Sequence, residues 1–300
     1  MENGILLESG TNELEILEFT IGDNSYGINV AKIREILPYQ KPTLVPNAHP
    51  CIEGIFMPRD MIITIVDLAK SLKIPTTGDY EKDMYIVTNF NKLHIAFHVN
   101  RVLGIHRVSW SDITKPDNTI NQEGNGIATG IIKLQEKLII ILDFEKIVAD
   151  ISPETSLKIS DVEHLGVRTR NDLPILIAED SPLLSKLLQE CLTKAGYTNL
   201  TATMNGLEAW NRLNEYKENK SVQSKVACVI TDIEMPQMDG HRLTKLIKED
   251  NELKNLPVVI FSSLVNEEMR KKGEAIGADA QLSKPEIGSL VNTLDLLLLK

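Results

Sequence analysis

The chain has 300 residues, 42% hydrophobic and 25% charged, a composition that supports two globular domains and argues against disorder, collagen or coiled coil. Asp and Glu (42) outnumber Lys and Arg (32), and a net charge of −10 offers no phosphate-neutralising surface, so nucleic acid is not an expected partner. No apolar stretch approaches the roughly 18 residues that a membrane span needs, so no membrane insertion is expected.

The N-terminus lacks the basic and apolar regions of a secretory signal, which predicts a cytoplasmic chain. Cys51, Cys191 and Cys228 form no metal-ligand spacing and read as buried, reduced thiols. Residues 1–150, with a core from about 11, are rich in short β-branched runs: Ile16 to Ile21, Met61 to Val66, Met84 to Val87, Leu93 to Val99 and Leu138 to Leu142. This is the rhythm of small β-barrels. A shift of 76 residues aligns Gly54–Leu68 with Gly130–Phe144 without a gap, and both copies read as a hairpin ending in an Asp. A shift of 69 pairs Ile28, Val30, Ile33 and Ile36 with Phe97, Val99, Val102 and Ile105. Two matches in the same order predict two similar β-subdomains that arose by duplication.

From 151 to 172 the apolar pattern thins into a polar segment that reads as a linker. Beyond it, in 173–300, apolar runs alternate with helical spacing. Strands are predicted at Leu173 to Ile177, Asn199 to Thr203, Val226 to Ile230, Val258 to Phe261 and Gln281 to Ser283. Helices are predicted at Pro182 to Ala195, Gly206 to Tyr216, Arg242 to Lys248, Glu267 to Ile276 and Ile287 to Leu299. Five βα repeats imply an α/β, doubly wound, five-stranded parallel sheet that binds ligands at the C-terminal ends of its strands.

Those ends carry chemistry. Glu179 and Asp180 close the first strand, Asp232 the third, Ser262 the fourth and Lys284 the fifth, so one edge collects three carboxylates, a hydroxyl and an ammonium. Clustered carboxylates repel one another until a hard cation such as Mg²⁺ enters. With that charge screened, Asp232 can attack a phosphoryl group while Lys284 neutralises its oxygens, yielding an aspartyl phosphate.

Ala178-Glu179-Asp180-Ser181, Thr231-Asp232 through Asp239-Gly240, Phe261-Ser262-Ser263 and Ser283-Lys284-Pro285 together resemble response-regulator receiver domains, which are flavodoxin-like. The resemblance implies that Asp232 is the phosphoacceptor, that Glu179, Asp180, Asp232 and the Glu234 backbone carbonyl bind Mg²⁺, and that Lys284 pairs with the phosphoryl group. It implies that Ser262 is the switch hydroxyl and that the Lys284–Pro285 bond is cis. Asp239-Gly240 reads as a turn and helix cap rather than a metal ligand. Where receivers usually place a switch Tyr or Phe, this chain has Gln281, so the readout of phosphorylation is expected to differ.

The N-terminal half contains no catalytic triad order, phosphate-binding glycine loop or metal spacing. His94 and His98 lie four apart in a predicted strand, roughly 13 Å from each other and too far for one metal, so both are expected to be surface or core histidines. Tyr26–Ile36, Ile52–Asp60 and Ile65-Val66-Asp67-Leu68 resemble the CheW-like coupling domain of bacterial chemotaxis, a tandem of SH3-like small barrels. Met57-Pro58-Arg59-Asp60, and a receiver in second place, resemble the CheV branch of that family. The resemblance implies docking on chemoreceptor cytoplasmic tips and on the histidine kinase CheA, with CheW as a further candidate partner, at receptor arrays near the inner membrane. Arg59, with Met57 and Asp60, is the candidate partner-binding anchor.

The expected function is thus an adaptor that couples receptors to kinase and is regulated at Asp232, catalysing only its own modification. A phosphate sink is the alternative. An aspartate-nucleophile phosphatase would use Glu234 as its second acid but needs a cap insertion for which this half is too short. A transcriptional regulator would carry a basic helix-turn-helix after the receiver, and none follows.

Overall fold

The computed structural model describes residues 12–75, 80–90, 93–116, 126–134, 136–152, 162, 164, 166, 168–264, 266–284 and 286–299. They divide into two compact units, one holding Leu14–Val108 and the other the C-terminal strands. Among the described residues no helix is long and apolar enough to cross a membrane.

The first unit contains ten strands: β1 (Glu13–Ile21), β2 (Asn24–Asn29), β3 (Ile33–Pro38), β4 (Ile52–Phe56), β5 (Ile63–Asp67), β6 (Met84–Phe90), β7 (Leu93–Val99), β8 (Arg101–Ser109), β9 (Ala128–Leu134) and β10 (Lys137–Leu142). They form two five-stranded sheets, ordered β8-β1-β2-β10-β9 and β3-β6-β7-β5-β4. Each holds an antiparallel hairpin, β1–β2 or β6–β7, joined in parallel to a second hairpin, β9–β10 or β4–β5. The repeat in the sequence is therefore real, as β1–β5 followed by β6–β10. Space divides it differently: each sheet takes two strands from one copy and three from the other, so neither copy closes a sheet alone.

Each copy ends in a helix, Leu68–Ser71 or Phe144–Ile151. The Asp that closes each hairpin is its N-cap: Asp67 Oδ1 accepts from the Lys70 amide at 3.0 Å, and Asp143 Oδ1 from the Lys146 amide at 2.9 Å. Leu68 and Phe144, equivalent under the 76-residue shift, are both fully buried and share one core with Phe19, Val66, Ile86 and Phe97. Burying such a side chain stabilises by roughly 1.5–3 kcal/mol.

The second unit carries β11 (Ile175–Ala178), β12 (Leu200–Thr203), β13 (Cys228–Thr231), β14 (Val258–Ser262) and β15 (Ala280–Ser283), all parallel, in the order β12-β11-β13-β14-β15. The three central strands are buried throughout because helices cover both faces. Observed boundaries in this unit differ from the predicted ones by at most two residues. β11 starts after Pro174, whose missing N–H bars it from a central ladder. Most of 151–172 and Pro285, with its expected cis bond, lie outside the described residues. Arg168 is tied to this unit, donating to the Ala195 carbonyl at 2.8 Å and pairing with Asp295 at 2.5 Å.

Candidate functional site

The order of the parallel sheet reverses between β11 and β13, and there the loops after those two strands diverge and leave a crevice. Glu179 and Asp180 directly follow β11, Asp232 follows β13, Ser262 closes β14 and Lys284 follows β15. The structure brings these predicted residues together. One carboxylate oxygen from each of Glu179, Asp180 and Asp232 lies within 4.8 Å of the other two. Lys284 Nζ sits 2.7 Å from Glu179 Oε2 and 2.8 Å from Asp232 Oδ2. Glu179, Asp232, Ser262 and Lys284 are buried, whereas Asp180 is half-buried. Three carboxylates facing one ammonium leave an excess of negative charge, and an all-oxygen donor set of this kind fits a hard divalent cation. Glu234 stands two residues beyond Asp232 on the same loop.

Backbone contacts fix the loop that carries Asp232. The Ile233 amide donates to Asp232 Oδ1 at 2.6 Å, and the Gly240 amide to the Ile233 carbonyl at 2.9 Å. A Cβ at Gly240 would stand 1.8 Å from the Asp232 carbonyl oxygen, so only glycine allows this approach. Asp239 caps helix Gly240–Glu249 through the Arg242 amide at 2.7 Å, as the sequence predicts. Burial pushes its carboxyl up to about 6 against the opposing pull of the Arg242 and His241 amides. Ser262 Oγ accepts from the Leu264 amide at 3.2 Å.

Gln281 on β15 lies against helix Glu267–Ala275. Its Nε2 donates to the Arg270 carbonyl at 2.7 Å, and its Oε1 is buried with no hydrogen-bond partner among the described residues. A Cβ at Gly273 would collide with this amide at 2.3 Å, so the glycine supplies its seat. Nothing in the local sequence announces that fit, because Gly273 and Gln281 sit on different elements.

Arg59, Met57 and Asp60 belong to the first unit, at the tip of the β4–β5 hairpin, and all three are exposed. Arg59 is 80% exposed, adopts φ 62° and meets Glu35 Oε2 at 3.5 Å. Left-handed backbone is uncommon for a residue with a Cβ and recurs at functional positions. A shallow pocket lies beside it, lined by Arg34, Glu35, Pro58, Asp60 and Met61 as well as Arg59. Met57 and Ile62 are exposed on the hairpin, Ile36 on β3, and the Thr43–Ile55 bridge brings exposed Leu44 and Val45 alongside β4. These apolar neighbours were not legible, since in the sequence each resembles an ordinary core residue. His94 is exposed while His98 is buried.

Comparison with known proteins agrees with both units. A CheW-like domain model matches residues 15–152, and a response regulator receiver domain model matches 175–295. Chemotaxis protein CheV3 of Helicobacter pylori is 30% identical over 291 residues, spanning 91% of either chain. Chemotaxis protein CheV2 of the same organism is 30% identical over 92% of either chain. Chemotaxis protein CheW of Thermotoga maritima is 30% identical over 49% of this chain and 95% of its own. Since the likeness to CheV relatives runs through both domains in the same order and along nearly the full length, the chain belongs to the CheV-type chemotaxis coupling proteins.

Proposed function

We propose that the protein couples chemoreceptor tips to the histidine kinase CheA through its CheW-like domain, and that phosphorylation of Asp232 regulates this coupling. The observation that carries the reading is Lys284 Nζ held 2.8 Å from Asp232 Oδ2 beside Glu179 and Asp180, in a buried site at the mouth of a parallel sheet. In the reaction a carboxylate oxygen of Asp232 attacks the phosphorus of a phosphohistidine. The O–P bond forms as the P–N bond breaks, and the departing imidazole takes up a proton. Lys284 already faces Asp232 Oδ2 at 2.8 Å and pairs with the phosphoryl oxygens as charge moves onto them. Glu179, Asp180, Asp232 and the Glu234 carbonyl would hold Mg²⁺, which supplies charge neutralisation for the phosphoryl group.

Ser262 and Gln281 then carry the state of the site outward. Both lie on adjacent strands, with Ser262 opposite Ser283 and Ile260 opposite Gln281, so a shift at Lys284 is passed along β15 to the helix that Gln281 holds. In the coupling domain, Arg59, Met57 and Asp60 form the proposed anchor, an arginine beside exposed apolar side chains with a polar surround. No catalytic role beyond self-modification is assigned. Only the loop 232–239 separates β13 from helix Gly240–Glu249, which leaves no space for the cap that an aspartate-nucleophile phosphatase requires. The proposed location is the receptor array at the cytoplasmic side of the inner membrane, with CheW as a neighbour.

The test is to incubate wild type and Asp232→Asn with autophosphorylated CheA and Mg²⁺, following radiolabel and the co-precipitation of receptor and kinase. Label on wild type alone, with altered co-precipitation, is the expected result. Label without altered binding would instead make the receiver a phosphate sink, and absence of label would overturn the phosphorylation reading.

A further inference from the structure

Both ring nitrogens of buried His98, on β7, face carboxylates. Nδ1 lies 2.8 Å from Glu53 Oε2 on β4, and Nε2 lies 2.9 Å from Asp83 Oδ2 just before β6. An ionised carboxylate only accepts hydrogen bonds, and a neutral imidazole carries a single N–H. Two such contacts therefore require one proton more than a neutral ring and two carboxylates possess.

That proton is enclosed. Tyr39, Tyr85 and Tyr80 surround the imidazole with ring centroids at 4.9, 5.5 and 5.6 Å. Tyr39 Oη donates to Glu53 Oε1 at 3.2 Å, and Asn100 Nδ2 reaches both Asp83 oxygens at 3.3 Å. From β5, Asp67 stands opposite His98 in the parallel register, with its charge met by Lys70 at 2.9 Å. Burial alone would lower the ring's pKa, but the hydrogen bonds and charges of Glu53 and Asp83 outweigh it and hold the ring above its ordinary range. The duplicated partner positions do not reproduce the arrangement: the 69-residue shift places Asn29 at His98, and the 76-residue shift places Thr129 at Glu53. The fold as such does not need the triad.

We propose that His98, Glu53 and Asp83 form a proton-operated clamp, in which an imidazolium ties β4 to β7 and to the start of β6, closed at neutral pH and released above it. A folded-state pKa above the ordinary value of about 6.5 places full stabilisation below 6.5 and its loss as pH rises through the folded value. Loss of the proton leaves two carboxylates against a neutral ring in a buried site, which favours separation. Glu53 shares β4 with Phe56, beside the Met57–Asp60 hairpin, so release loosens the strand that carries that hairpin.

The experiment is a ¹⁵N NMR titration of histidine-labelled full-length protein, with His98 assigned by loss of its signal in His98→Gln. The expected result is a His98 ring protonated on both nitrogens at pH 7 that titrates above the ordinary histidine value. In Glu53→Gln that titration moves down by about one unit or more. Between pH 7 and 9 the wild-type Tm falls by a few degrees more than that of Glu53→Gln. A His98 ring neutral at pH 7, or one whose titration Glu53→Gln leaves unmoved, would overturn the clamp. Should Glu53→Gln fail to fold, the wild-type titration decides alone.

Discussion

The two units place their charged groups in opposite ways. The receiver unit buries Glu179, Asp232 and Lys284 at one sheet edge, where a low dielectric strengthens every interaction and poises the carboxylates for a cation and a phosphoryl group. The coupling unit leaves Arg59 80% exposed at a hairpin tip, and the charged groups it buries pair across its own elements, His98 with Glu53 and Asp83, Glu18 with His106 and Lys32 with Glu145. Chemistry on a small group needs convergent, desolvated residues. Docking on a protein needs breadth of exposed apolar surface with a few anchors. On this reading the proposed phosphoryl chemistry is concentrated in five residues, and the proposed docking surface is spread across β3, β4 and their loops.

The comparison is broken most directly at Asp232. Asp232→Asn removes the proposed nucleophile while keeping its shape, so transfer of radiolabel from phosphorylated CheA is expected to fall to background with the fold intact by circular dichroism. Gly240→Ala tests whether the crevice depends on backbone clearance. Its methyl would meet the Asp232 carbonyl at 1.8 Å, and urea unfolding is expected to show roughly 1–3 kcal/mol of destabilisation.

Asp239 sharpens the contrast through pH. Its folded pKa of about 6 exceeds the unfolded value, so the folded state binds its proton more tightly and loses stability as pH rises from about 4 through 6. Asp239→Asn keeps the helix cap without the charge. It is expected to stabilise the protein by about 3 kcal/mol at pH 7 and by nothing below pH 4, measured as denaturation midpoints across that range.

On the other unit, Arg59→Ala is expected to weaken co-precipitation with receptor and kinase about tenfold while stability changes by under about 0.5 kcal/mol. The smallest effect is reserved for the backbone. Arg59→Gly should lose the same binding yet gain about 0.5–1 kcal/mol of stability, because glycine adopts φ 62° without strain. Equal stability of the two variants would mean that the left-handed conformation is not maintained in solution.

Much of the receiver was legible because its candidate site residues sit at fixed offsets from apolar strands, so locating β11, β13, β14 and β15 also locates Glu179, Asp180, Asp232, Ser262 and Lys284. The hairpin-ending Asp67 and Asp143 were legible as a repeat, and their role as helix caps follows from the residues after them. The seat of Gln281 on Gly273 was hidden, since the two residues are joined only by packing. His98 was equally opaque: its partners lie 45 and 15 residues away, and no spacing rule links a histidine to them.

What the amino-acid sequence determined by itself was local: periodicities of two and of about 3.6, caps, turns, and the strand-end motifs that bring chemistry to one sheet edge. Tertiary structure alone decided which copy of the repeat supplies each strand. The β5–β7 and β2–β10 pairings exchange strands between the copies, and neither pairing leaves a trace in either segment. A side chain's alternation records that a face is buried, whereas the partner that buries it is selected by the free energy of the whole core.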